Sequence, residues 1–348
     1  MLLPALIGVL LHLIAPAHAS GQPQPQPEHP PSKTPVVDEL REEADALRPL
    51  VQTGLAKAFL DAVTGLPEPS EQVVYRAKDG RTITPAEMAA LPAEEQEAFT
   101  KRLLIPRFYY HTVYGTPLVY TRPLELLAER NPEAWAADTL AGKRVLDFGF
   151  GTIGHLRLLS LLGVEATGVD VEPLFKALYA GEKAPAPGMP TKGAVRILLG
   201  RWPASPDLAA TVREHGPYDL FISKNTLKRG YIHPARPADP SRLVNLGVDD
   251  ATFLKAVHDT LKPGGVFLIY NISPAQSLPS EAYIPHADGQ CPFPRADLEK
   301  AGFEVVAYDE DDQGKIIDVW QALGMNQGKP REEMARELFA WWTMCRRK

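Results

Sequence analysis

Hydrophobic and polar positions change rhythm several times along the chain. Residues 2–15 are almost unbrokenly apolar, LLPALIGVLLHLIA, and residues 20–35, SGQPQPQPEHPPSKTP, have no apolar period. From Val36 the apolar side chains of Leu40, Ala44, Leu47, Val51, Leu55 and Phe59 recur at helical spacing, which predicts an amphipathic helix over 36–59. Thr84 stands as an N-cap before Pro85, with Glu87 three residues on, and predicts a short capped helix. From Lys143 short apolar runs alternate with helical patterns. Val145-Leu146-Asp147 ends a strand, and Leu156, Leu158, Leu159 and Leu162 populate a helix closing near Gly163. Residues 166–171 make the next strand. Strand, helix and strand in that order predict an α/β fold, a mostly parallel sheet with helices on both faces.

The first two segments read as non-domain sequence. Ala17-His18-Ala19 has the small-x-small form of a cleavage site, so residues 1–19 are expected to be a signal peptide that exports the chain to the periplasm or beyond. A wrongly assigned start would leave a cytoplasmic protein instead. The run is too short for a membrane span. Residues 20–35 alternate Pro with Gln and favour an extended, disordered tether. Residues 36–139 are expected to form a mainly helical cap that serves as a substrate lid, and 140–348 one large domain, within a chain of 348 residues. A net charge of -6 gives no general attraction for nucleic acid or anionic membrane. Two cysteines exclude a disulfide scaffold, and Cys291 and Cys345 have no metal-ligand spacing. The acidic run Asp309-Glu310-Asp311-Asp312 lacks a calcium-loop pattern and reads as a solvated turn, so no metal is expected.

Chemistry concentrates where the first strand of the large domain meets its helix. Gly149, Gly151 and Gly154 allow a tight turn and close backbone approach, and Asp170 ends the next strand, where it can accept ribose hydroxyls. Asp147 stands two residues before the first glycine. A carboxylate there repels a diphosphate and suits a cationic ligand end. Together VLDFGFGTIG, GVDVEP, YDLFISKN and LKPGG resemble the class I S-adenosylmethionine-dependent methyltransferases over roughly residues 140–348. The resemblance implies a seven-stranded sheet in order 3-2-1-4-5-7-6 with the last strand antiparallel, and S-adenosylmethionine as cofactor. AGFEVVAYDEDD from Ala301 supplies the sixth strand. LFAWWTMCRR supplies the seventh, although a helix fits it in part. Asp147, Gly149, Gly151 and Gly154 would then face the methionine and ribose, Asp170 the ribose hydroxyls, and Ser223 at the end of the fourth strand would join them. Where many members carry an acid for adenine, this chain has Arg201 and Trp202, so Trp202 either stacks on adenine or packs between elements.

The loop SKNTLKRGYIHP follows the fourth strand, where an acceptor would lie. Lys224, Lys228 and Arg229 suggest an anionic group on a small or medium acceptor, unless the loop is simply solvated. Lys224, Tyr231 and His233 are the candidate catalytic groups, and Asn225 a candidate substrate contact. The aromatic stretch before the large domain adds Tyr110, His111 and Tyr114 as substrate-side candidates, with a packed seam as the alternative. Two other functions remain open: an exported binding module that keeps the fold without catalysis, and a nicotinamide-dependent oxidoreductase using the same glycine turn.

Overall fold

The computed structural model describes residues 34–112, 115–180 and 193–348. The expected leader, all but the end of the tether, and Tyr114 lie outside the described residues. Strands β1 (Gln72–Ala77), β2 (Thr82–Ile83) and β3 (Phe99–Leu104) form an antiparallel sheet in order β2-β1-β3. Strands β4 (Arg144–Phe148), β5 (Glu165–Asp170), β6 (Ala194–Leu199), β7 (Tyr218–Lys224), β8 (Leu261–Pro274), β9 (Phe303–Asp311) and β10 (Leu338–Arg347) form the main sheet, in order β6-β5-β4-β7-β8-β10-β9. Only β10 runs against its neighbours. Counted from β4, this is the 3-2-1-4-5-7-6 arrangement of the class I methyltransferase fold. LFAWWTMCRR is a strand because it lies between β8 and β9, paired from Leu338 to Arg346 with β8.

Alternate residues of each central strand feed opposite cores, as a sheet covered on both faces requires. Val145, Leu220, Ile222 and Leu268 join one buried cluster, while Leu146, Phe221, Phe267 and Ile269 join the other. The first cluster also contains Leu40, Phe59, Leu118 and Leu124. The cap is therefore not a separable lid: its apolar face shares one core with the main sheet.

Two expectations, the long first helix and the acidic run, need correction, while the mainly helical cap is as expected. The helix expected over 36–59 is two, Val36–Leu47 and Gly54–Asp61, split by a 3-10 turn at Arg48–Leu50. Pro49 lacks the N–H a continuing helix needs, and Thr53 restarts the second helix by accepting from the Ala56 N–H. The cap also carries the β2-β1-β3 sheet in addition to its helices, whereas Thr84 and Glu87 form the capping box as expected. Finally, the acidic run is not a solvated turn. Asp309 Oδ1 accepts from the Cys291 N–H at 2.7 Å, and Asp312 is buried.

Asp312 is half of the clamp that ties the cap to the far edge of the sheet. Arg122, in the helix Thr121–Arg130, donates Nε and Nη2 to Asp312 at 2.9 Å each, and Nη1 to Glu125 at 3.1 Å. Tyr270 Oη on β8 donates to the same Asp312 carboxylate at 2.9 Å. Glu125 in turn accepts from the Thr53 N–H at 3.3 Å. All three charged groups are buried, so a fork of this kind is satisfied only as a whole. Asp312→Ala is expected to lower the unfolding free energy by about 3 kcal/mol or more, because it leaves a buried guanidinium underpaired. Urea denaturation measures this, and a loss under about 1 kcal/mol would show that the clamp does not hold the cap.

Candidate active site

The carboxyl ends of β4, β5 and β7 converge on the glycine turn. Gly149 and Gly151 take φ of +78° and +66°, which L side chains rarely adopt. Asp170 Oδ2 accepts from the Gly151 N–H at 3.2 Å, and its Oδ1 accepts from the Val171 and Glu172 N–H groups at 2.7 and 3.0 Å. The end of β5 thus fixes the turn after β4. The cap closes over the same turn: Thr152 Oγ1 donates to the Tyr110 carbonyl at 2.7 Å, and a Cβ on Gly154 would come within 2.7 Å of that oxygen. Gly154 is there for close packing. From the other side, a Cβ on Gly149 would meet Thr226 Oγ1 at 2.1 Å.

Asp147, the last but one residue of β4, is fully buried. Its Oδ2 lies 2.6 Å from Tyr120 Oη and 2.6 Å from His155 Nε2, and the two rings stack at 3.7 Å. Its Oδ1 has no hydrogen-bond partner. Lys224 ends β7 with its Nζ 5.2 Å from the Tyr120 ring centroid. Burial pushes the Lys224 pKa down to about 8, against the pull of Asp147. Burial also lowers the His155 pKa, outweighing its Asp147 bond, so the imidazole is neutral at pH 7 and the tautomer carrying the Nε2 proton fits the carboxylate. The Tyr120 phenol is raised well above its usual range by burial and by Asp147, so it stays a donor. Tyr120 and His155 were missed by sequence reasoning. His155 had a signal, since it falls in the first helical turn after the glycines; Tyr120 had only its place in an aromatic stretch.

Beside the turn lies a cavity of about 220 Å³, lined by Gly149, Asp170, Arg201, Trp202, Thr226 and Asn245 among others. Trp202 reaches this wall but is 2% exposed, and its ring meets Phe148, Phe221 and Phe253 at centroid distances of 6.0, 5.5 and 5.6 Å. It packs between elements and offers no open face for stacking on adenine.

Several other expected site residues are structural. Ser223 is buried and donates to the Phe148 carbonyl at 3.0 Å, which ties β7 to β4. Asn225, at φ +65°, accepts from the Ile272 N–H at 2.7 Å through Oδ1, so it holds the loop against β8. Lys228 is fully buried, its Nζ donating to Ile272 O at 2.5 Å, His286 O at 3.0 Å and Ser273 Oγ at 3.2 Å. Arg229 pairs with Asp288 at 2.9 Å. Of the three cations expected to bind an anion, only Lys224 faces Asp147 without a committed salt bridge or carbonyl. Tyr231 is buried beside the Lys228 ammonium. His233 is exposed and paired with Asp250 at 2.7 Å. Tyr110 donates its hydroxyl to the Pro67 carbonyl at 2.8 Å inside the cap, and His111 faces Glu43 of the helix Val36–Leu47. Cys291 and Cys345 are both buried free thiols. No described helix is long and apolar enough to cross a membrane.

No protein-family model matches the chain, and no curated protein does. It is similar to solved structures of phosphoethanolamine N-methyltransferase 2 from Haemonchus contortus in complex with S-adenosyl-L-methionine (12% identity over 80% of this chain and 68% of that one, TM-score 0.39). It is likewise similar to the cyclase SpnF (17%, 65% and 80%, TM-score 0.39) and to a SAM-dependent methyltransferase from Geobacter sulfurreducens in complex with S-adenosyl-L-homocysteine (17%, 65% and 91%, TM-score 0.33). These are distant likenesses and extend to the fold alone.

The buried lysines make stability depend on pH. Burial brings the Lys228 pKa down to about 7 and that of Lys224 to about 8, both below the ordinary lysine value. Between about pH 7 and 8.5 the unfolded chain therefore binds more protons than the folded one, and stability rises with pH. Above that window the buried thiols oppose the trend, because burial raises their pKa values. Lys228→Met should flatten the rise by up to about 1.4 kcal/mol per pH unit. Denaturation at several pH values from 6.5 to 8.5 reads the slope, and parallel profiles for the two proteins would contradict it.

Proposed function

We propose that the chain is an S-adenosylmethionine-dependent methyltransferase acting on a small acceptor. The observation that carries this reading is the buried Asp147 Oδ1, which lacks a partner two residues before a glycine turn that Asp170 holds from the next strand. Buried carboxylate oxygens are normally hydrogen-bonded, and this one suits an ammonium donor. Asp170, which lines the cavity, would take the ribose hydroxyls, and Gly149 and Gly151 would let the backbone approach. Bound there, S-adenosylmethionine supplies an activated methyl group on a sulfonium. The chain's task is to align an acceptor with it and keep water out. Tyr120 and His155 hold the Asp147 carboxylate from one side and leave Oδ1 for the ligand.

Lys224 is the group best placed for the acceptor. With a pKa near 8 it is partly neutral at physiological pH, so it can take a proton from an acceptor or, when charged, pair with an anionic one. The wider preference for anionic acceptors now rests on Lys224 alone. Export through the leader belongs to the same proposal.

A second reading has its own support. Thr226 sits hard against Gly149, and Tyr120 against Asp147, so the chain itself covers part of the turn. That favours a binding module which keeps the fold without transfer. Calorimetry separates the readings. S-adenosylmethionine should bind, and Asp147→Asn and Asp170→Ala should each weaken it at least about tenfold, a loss of roughly 1.4 kcal/mol. Binding with no methyl transfer across acceptors of varied charge would favour the module, and heat with NAD but not S-adenosylmethionine would overturn both.

A further inference from the structure

Away from the glycine turn, the cap brings two carboxylates and an imidazole together. Glu39 and Glu43 lie four residues apart on the helix Val36–Leu47, so they share one face. His111 meets them from the segment that follows the turn Pro106–Tyr109. One ligand atom from each of the three lies within 4.8 Å of the others. His111 is 0% exposed, and neither of its ring nitrogens has a hydrogen-bond partner. Glu43 Oε2 is also buried without one, and it stands 3.6 Å from His111 Nε2.

That distance is too long for a hydrogen bond. It is close to the roughly 3.3 Å that separates two ligands on one small cation with bonds of about 2.0–2.1 Å. Buried imidazole and carboxylate atoms seldom go unmet, and a shared cation would meet both at once. Arg107 Nε donates to Glu39 Oε1 at 2.9 Å and Oε2 at 3.2 Å, which offsets one carboxylate charge and leaves that group free to present a second lone pair.

We propose that Glu39, Glu43 and His111 form a binding site for a first-row divalent cation of the zinc type, which pins the first cap helix to the segment lying on the glycine turn. Nitrogen in the donor set selects against magnesium and calcium, which take oxygen ligands. Three protein ligands leave a position for water. The His111 Nδ1 atom has no acceptor to fix the ring, so affinity falls in the micromolar range rather than that of a closed structural site. The pin bears on the turn because residue 110 contributes the carbonyl that Thr152 uses, and Thr112 lies 3.4 Å from the position a Gly151 Cβ would take. The proposal is independent of methyl transfer.

The test is calorimetric titration of the chelator-treated, tag-free chain with zinc chloride. One zinc ion should bind per chain, and a hundredfold excess over Kd should raise the melting temperature by about 4 °C. Glu43→Gln and His111→Asn should each weaken binding at least about tenfold, and magnesium should not displace the zinc. Should His111→Asn fail to fold, Glu43→Gln, which keeps the shape of the side chain, decides alone. Absence of binding at 100-micromolar zinc (an order-of-magnitude ceiling for such sites), unchanged binding in Glu43→Gln, or equal affinity for magnesium would overturn the proposal.

Discussion

Everything at the carboxyl end of the sheet is arranged around one buried carboxylate. Asp147 sits at 0% exposure with one oxygen taken by Tyr120 and His155 and the other by nothing. An unmet buried acceptor costs on the order of 1–3 kcal/mol, and more when it is charged. The cap satisfies only the other oxygen: Tyr120, which donates to Oδ2, belongs to the cap, and its place depends on the helix it precedes. That helix is held by Arg122 against Asp312, just past the edge strand β9. The proposed cofactor site and the cap thus form one unit, with a clamp at one end and the Asp147 network at the other.

The same coupling explains why the cap shares a core with the sheet. A lid hinged on a free linker would bury little of its own apolar face. Here Leu40, Phe59 and Leu118 pack in one cluster with Val145 and Leu268, so the cap cannot lift as a rigid body without exposing that core. Access to Asp147 therefore has to come from smaller movements, at Tyr120, Lys224 or Thr226. The loop after β7 is braced against larger ones by the Asn225 and Lys228 bonds to β8. This brace also explains why three cations in one short loop are not three substrate contacts.

The strands of the large domain were legible in the sequence as short apolar runs bounded by glycine, proline or charge, whereas their order came from what the resemblance of VLDFGFGTIG, GVDVEP, YDLFISKN and LKPGG implies. The capping box at Thr84 and the conformations of Gly149 and Gly151 were legible for the same local reason. What could not be read were pairings across long separations. Nothing near Asp312 announces that its partner is Arg122, and without that partner an acidic run looks solvated. Ser223, Asn225 and Lys228 have the chemistry of ligand-binding groups, but the backbone of β4 and β8 claims them first. Trp202 stood where an adenine contact was expected, and three phenylalanines from other elements enclose it. Pro49 was the one local signal underweighted, since the helical spacing of apolar residues carries on past it.

The central claim is that S-adenosylmethionine lies across the glycine turn, between Asp147 and Asp170. Hydrogen exchange of the full chain with and without saturating S-adenosylmethionine tests this most directly, because it reads the backbone residue by residue. The account predicts slowed exchange concentrated at amides 149–154 and 171–172, together with the cap segment around Tyr120. Unchanged exchange at those amides, or protection confined to some other surface, would contradict it.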